Sequence, residues 1–170
     1  CSSDLKPSGI AVHGGSGVAY GLIEALRIAT GKKYLELIHR IDRDTSGLVM
    51  ISKKRSTLKT LQDLLREHKI QKTYAAIVKG QVSLDQQLID QPLLRYELAN
   101  GERRVRVSKE GKESKTQWKV AERFMHATLV YASPLSGRTH QIRVHGLSIG
   151  HPLVGDDKYG HETEYKGPKP

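Results

Sequence analysis

The strongest constraint on this chain is the stretch His39-Arg40-Ile41-Asp42-Arg43-Asp44-Thr45-Ser46-Gly47, a polar loop that turns at Gly47 into the apolar run Leu48-Val49-Met50-Ile51. A short apolar run bounded by a turn is the mark of a buried strand, so the loop is predicted to hang from a strand over Gly47–Ser52. The loop also sets Asp42 between Arg40 and Arg43. Positive neighbours favour an ionised carboxylate, able to act as base or nucleophile, whereas burial alone favours the neutral acid. A surface Arg/Asp ion-pair cluster capped by Thr45 and Ser46 is the competing reading of the same residues.

The rest of the chain reads as α/β (α+β): one domain over residues 1–170, with a mixed, mainly antiparallel sheet and flanking helices. Apolar positions Val18, Leu22, Ile23 and Leu26 fall at helical spacing after Gly14-Gly15-Ser16-Gly17. Leu58, Leu61, Leu64 and Leu65 do so after Ser56 and Thr57, which suit a helix N-cap. Thr139–Ile149 is read as a third helix, with Ile142 and Ile149 inward, following the turn Ser136-Gly137. Further strands are predicted at Thr73–Val78, Arg103–Val107, Thr116–Ala121 and Thr128–Ala132. Within Arg103–Val107, Arg103, Arg104 and Arg106 could form a basic face for RNA or an ordinary solvated edge. The polar tail Tyr165–Pro170 closes the chain.

Net charge is +10, from 28 Lys and Arg against 18 Asp and Glu, with a pI near 9.7. A polyanionic partner fits that balance, because neutralising phosphates releases counterions. No run of 18 apolar residues occurs, so no membrane-spanning helix is expected, and no signal segment opens the chain. The single cysteine, Cys1, cannot form an internal disulfide, which makes a reducing, cytoplasmic setting the default. Gly14–Gly17 lacks the Lys-Ser/Thr ending of a P-loop and the spacing of a dinucleotide fingerprint, so it is read as a turn and no nucleotide cofactor is expected. Among the eight histidines no pair has i,i+4 spacing. His140 and His145, five apart, lie roughly 140° apart around a helix, so no metal is expected either.

Four segments carry a further signal. Lys6-Pro7-Ser8-Gly9-Ile10-Ala11-Val12-His13, then His39–Gly47, then Lys72-Thr73-Tyr74, then Gly137-Arg138-Thr139-His140-Gln141-Ile142-Arg143-Val144-His145 with Gly150-His151-Pro152-Leu153-Val154-Gly155-Asp156 follow one another along the chain. They resemble, in the same order, the KPSG opening, the HRxDxxTSG signature, the K-x-Y strand and the GRTHQIRVH…GHP motif of the RluA/RluC/RluD-type pseudouridine synthases. The connecting text Glu102–Ser108 and Gly155–Gly160 is similar to the C type, which modifies large-subunit ribosomal RNA.

The resemblance implies a pseudouridine synthase fold and conversion of uridine to pseudouridine by breaking the N1–C1′ bond and rejoining C5 to C1′, with no cofactor. It places Asp42 as the group that starts the reaction, by adding to the base, attacking C1′ or taking a proton from C2′. Arg143 matches the basic partner of that carboxylate, and Tyr74 the active-site tyrosine whose ring can stack on uracil. Arg40 would enter the space left by a flipped-out uridine, and His39, Arg138, Thr139 and His140 would contact RNA. The expected partner is structured RNA, 23S ribosomal RNA first, met by a monomer. A transfer-RNA substrate and an inactive RNA-binding domain are the alternatives. Family members carry a strand and an Asn before KPSG that Cys1–Leu5 do not resemble. They also continue into further strands and an FLHA-like segment after GHP. The domain is therefore expected to be partial at both ends, without an S4-type module.

Overall fold

The computed structural model describes residues 2–15 and 18–160; Cys1, Ser16-Gly17 and the tail Tyr165–Pro170 lie outside them. The chain divides into two compact units, one ending at Ile70 and one starting at Gln71.

The first unit is built on a three-stranded antiparallel sheet. Its elements are β1 (Ser2–Lys6), α1 (Leu22–Thr30), β2 (Glu36–Leu37), β3 (Gly47–Ser52) and α2 (Arg55–Arg66), with β3 in the middle of the order β1-β3-β2. Val49 and Ile51 are buried while Leu48 is exposed, so the apolar run alternates faces as a strand must. Although Cys1–Leu5 do not resemble the family's opening strand, Ser2–Lys6 is a strand, and Lys6 lies opposite Gly47 in the register.

Helix α1 starts at Leu22, so Val18 lies outside it. Gly21 runs so close to His13 that an added Cβ would sit 2.5 Å from its backbone, and the helix can begin only after this crossing. Ser56 and Thr57 fall inside the first turn of α2 rather than at its cap, which is Lys54. Ser52 does the local tethering instead, its hydroxyl donating to the Lys54 carbonyl at 2.6 Å.

The second unit holds β4 (Tyr74–Lys79), β5 (Gln86–Asp90), β6 (Leu93–Glu97), β7 (Arg103–Val107), β8 (Lys115–Arg123), β9 (Ala127–Pro134) and α3 (Gln141–Ser148). A four-stranded sheet of order β4-β9-β8-β5 and a β6-β7 hairpin are both antiparallel. Val78, Ile89, Trp118, Val130 and Ala132 form the main core, against which Ile142 and Ile149 pack as expected. Val144 and Leu147, on another face of α3, pack with Leu93, Val105 and Tyr159. Apolar on two sides, α3 is wedged between sheet and hairpin. Gly146 permits the fit, since a Cβ there would lie 2.8 Å from the His151 carbonyl and 3.3 Å from the Trp118 ring. All these elements confirm the α+β class and its antiparallel character.

Candidate active site

In the first unit the Asp42 loop is stapled to the segment that follows β1. Lys6 is fully buried, and its ammonium donates at 2.8 Å to each of the Pro7, Ile10 and Arg43 carbonyls. Burial lowers the pKa of Lys6, while the negative charges of Asp44 and Asp42 act the other way. Gly9 N–H adds a second bond to the Arg43 carbonyl at 3.0 Å, and the Ser8 hydroxyl donates to the Asp44 carbonyl at 2.8 Å. Ile41, next to Asp42, is buried, and Thr45 N–H closes a turn on the Asp42 carbonyl. Asp42 itself is half-buried. The loop's exposed ion pair is Arg43 with Asp44, at 3.4 Å.

Arg40 is exposed and donates to His13 Nε2 at 3.0 Å. His39 points back to its own sheet, its Nε2 accepting the Met50 N–H at 3.1 Å. The Gly14 N–H is already directed at Glu24 Oε2, which also takes the Gly21 N–H at the start of α1. A carboxylate of the chain itself thus takes the Gly14 amide; Ser16 and Gly17, in the segment read as a turn, lie outside the described residues.

In the second unit the Gly137–His145 motif is knotted around Gln141. The buried amide accepts from the Ser136 hydroxyl and the Arg138 N–H, and donates to the Lys115 carbonyl and Thr116 Oγ1, all within 3.0 Å. Thr116 in turn meets His145 Nδ1 at 2.8 Å, and His145 Nε2 meets the Gln91 carbonyl at 3.0 Å. The carbonyl can only accept, so Nε2 carries the proton and Nδ1 accepts from Thr116. Burial lowers the pKa of His145, against the weaker pull of the Gln91 carbonyl and Asp90. His145 is therefore a neutral structural residue.

His140 precedes α3 with a left-handed φ of 52°, a conformation uncommon outside glycine. The exposed Arg138 guanidinium donates to the Glu113 carbonyl, and Thr139 Oγ1 accepts from Arg95. Both residues thereby shape the turn into α3.

Arg143, on α3, meets Asp156 as a fork: Nε to Oδ2 at 2.7 Å and Nη2 to Oδ1 at 2.8 Å. The Asp156 side chain is 3 % exposed, and its Oδ1 also accepts the Lys158 and Tyr159 N–H groups. Burial opposes its ionisation. The Arg143 contacts and the two amides together outweigh that, holding the carboxyl below the ordinary range. The Arg143 guanidinium lies over the Tyr159 ring, 5.0 Å from its centroid. Tyr159 OH accepts the Val105 N–H at 3.0 Å and meets His140 Nδ1 at 2.8 Å. Sequence reasoning assigns no role to Asp156 or Tyr159. The signal that could have found them is an Asp-x-x-Tyr turn just after the Gly-His-Pro motif.

Tyr74 opens β4, half-buried, on the same face as Ala76 and buried Val78. On β7, Arg103 and Arg106 are exposed, Arg106 lying over the Tyr96 ring. Arg104 is turned inward to Glu102 and the Lys158 carbonyl, so the three arginines are not one face. A cavity of about 300 Å³ lies beside them, lined by Tyr96, Arg106, Val144, Lys158 and Tyr159 among others. Among the described residues no three His, Cys, Asp or Glu side chains gather as metal ligands, and no helix is long and apolar enough to cross a membrane. Asp42, Arg40 and His39 belong to the first unit; Tyr74, Arg138, Thr139, His140, Arg143 and the β7 arginines belong to the second.

Residues 5–148 match the family model for RNA pseudouridylate synthase. The chain is 56 % identical over 156 residues to ribosomal large subunit pseudouridine synthase C of Pasteurella multocida, covering 91 % of this chain and 48 % of that protein. It is 54 % identical to the protein of the same name from Escherichia coli K12, again over 156 residues, covering 91 % of this chain and 49 % of that one. The chain thus spans about half the length of these relatives. Among solved structures, human RNA pseudouridylate synthase domain containing 4 superposes with a TM-score of 0.75 at 27 % identity, covering 99 % of this chain and 68 % of the human one.

Proposed function

We propose that this chain, which belongs to the RNA pseudouridylate synthase family, is the catalytic portion of an enzyme that isomerises uridine to pseudouridine in large-subunit ribosomal RNA. The observation that carries this reading is the Asp42 loop. Its carboxylate sits in the family's signature on a turn held by three hydrogen bonds from the Lys6–Gly9 segment, with Lys6 also bonded to the Pro7 and Ile10 carbonyls, and both ends of the staple lie in matched motifs. Catalysis by a carboxylate on a loop needs such support, because a small misplacement costs rate steeply.

The reaction needs no external reactant. The N1–C1′ bond breaks, the base turns, C5 bonds to C1′, and the C5 proton is lost to solvent while N1 gains one. In the proposed arrangement Asp42 begins this exchange and Arg143 is its charge-assisted partner. Tyr74 stacks on the uracil, while Arg40 fills the space a flipped nucleotide leaves. The relatives named for ribosomal large-subunit substrates favour ribosomal over transfer RNA, and the charge of +10 suits either. A monomer acting in the cytoplasm without a metal or nucleotide cofactor completes the reading.

The test is tritium release from C5-labelled RNA by the full-length protein, on large-subunit ribosomal RNA and on transfer RNA, with Asp42→Asn as control. Release is expected from the ribosomal substrate and is expected to fall at least about a thousandfold in the variant, as when a nucleophile is deleted. Near wild-type release by Asp42→Asn would overturn the assignment, and release from transfer RNA alone would overturn the substrate.

A further inference from the structure

The Arg143 guanidinium is held more completely than an arginine that merely supports α3 would require. Asp156 grips its Nε edge in the plane, and the Tyr159 ring underlies its face. The gripping residues are themselves fixed. The Asp156 carboxylate is buried and takes two amide N–H bonds from its own turn, while Tyr159 is tied through its hydroxyl to Val105 on the hairpin and to His140. His140 closes the circuit, since it sits in a left-handed conformation at the head of the helix that carries Arg143. Such a conformation in a residue other than glycine persists only where its surroundings fix it.

We propose that Asp156 and Tyr159 are positioning residues for Arg143, together fixing the direction in which its Nη1 end points. With Nε and one Nη2 hydrogen committed to Asp156, that carboxylate sets the plane and direction of the whole guanidinium. The Asp156 charge also balances that of Arg143, so what the pair contributes is placement more than field. The inference rests on the reading of Arg143 as the partner of Asp42.

The test uses the full-length protein and C5-labelled ribosomal RNA. Asp156→Asn retains an oxygen for the two amides and loses the charged fork. Its kcat is expected to fall by about a hundredfold, the cost of a misplaced group, with KM for RNA nearly unchanged. Combined with Arg143→Met and followed by single-turnover kinetics, it is expected to add almost nothing to the loss from Arg143→Met alone. Tyr159→Leu, which removes the ring but leaves the ion pair, is expected to show a smaller loss with the same dependence on Arg143. Wild-type kcat in Asp156→Asn, or an undiminished effect in the Arg143→Met background, overturns the proposal. If Asp156→Asn fails to fold, Asp156→Glu keeps the charge and displaces the fork; wild-type kcat there overturns it equally. Activity surviving in Arg143→Met itself would instead remove the role of Arg143 on which the inference rests.

Discussion

Single side chains here separate into those that can touch substrate and those that hold them. Tyr74 is half-buried at the start of β4, in the row that continues through Ala76 to buried Val78. Ring and hydroxyl are separable. Tyr74→Phe is expected to keep RNA affinity and slow turnover about a hundredfold, the low end of what a proton-transfer group contributes. Tyr74→Ala is expected to lose base stacking as well and so to be worse. Equal and nearly full activity in both, measured by tritium release, would remove Tyr74 from the site. Asp44 makes the opposite case, since it pairs with Arg43 in solvent. Exposed pairs of this kind contribute little, and Asp44→Asn is expected to leave activity within about twofold.

At the scale of elements, the Lys6–Arg43 staple and the Gln141 knot explain why separate motifs must be present together. Lys6→Met removes a buried ammonium that bridges three carbonyls, two in the segment after β1 and one in the Asp42 loop. Stranding carbonyls costs about 1–3 kcal/mol, so the variant is expected to melt earlier and to lose turnover with it. A melting curve and kcat both unchanged would show the staple to be dispensable. The strands most plainly written in the sequence are those with buried alternating or β-branched residues, such as β3, β7 and β9. Less visible are β1, which is Ser-Ser-Asp-Leu-Lys, and β5, where only Leu88 and Ile89 are apolar and Leu88 is exposed. Their register comes from partners distant in sequence, and no local pattern reports it. Helix starts are hidden for the same reason, as the beginning of α1 is set by a backbone crossing at Gly21. In the site, motif residues on loops are legible by type and spacing. Asp156, Tyr159 and Gln141 act through contacts that exist only once the chain has folded.

For the molecule as a whole, protonation and charge act in opposite directions on stability and on partner binding. Both His145 and Asp156 have folded pKa values below their ordinary ones, so the unfolded chain binds protons more readily than the folded one. Their stabilisation is present at neutral pH. It is lost first as pH falls below about 6.5, where an unfolded histidine protonates, and again below about 3.9, where an unfolded aspartate does. The melting temperature is therefore expected to decline between pH 7 and 5, and His145→Gln, if it folds, to flatten that decline; an identical slope would exclude His145 as its source. The net charge of +10 should make RNA binding fall log-linearly with salt. The hairpin refines which charges do this, because Arg103 and Arg106 are exposed while Arg104 is occupied by Glu102 and the Lys158 carbonyl. Neutralising Arg103 and Arg106 to Gln is expected to lower the magnitude of the salt slope by about one for each phosphate that these arginines engage. Arg104→Gln is expected to leave that slope alone and to lower the melting temperature instead. A slope untouched by the double variant would make β7 a solvated edge and move phosphate binding elsewhere on the basic surface.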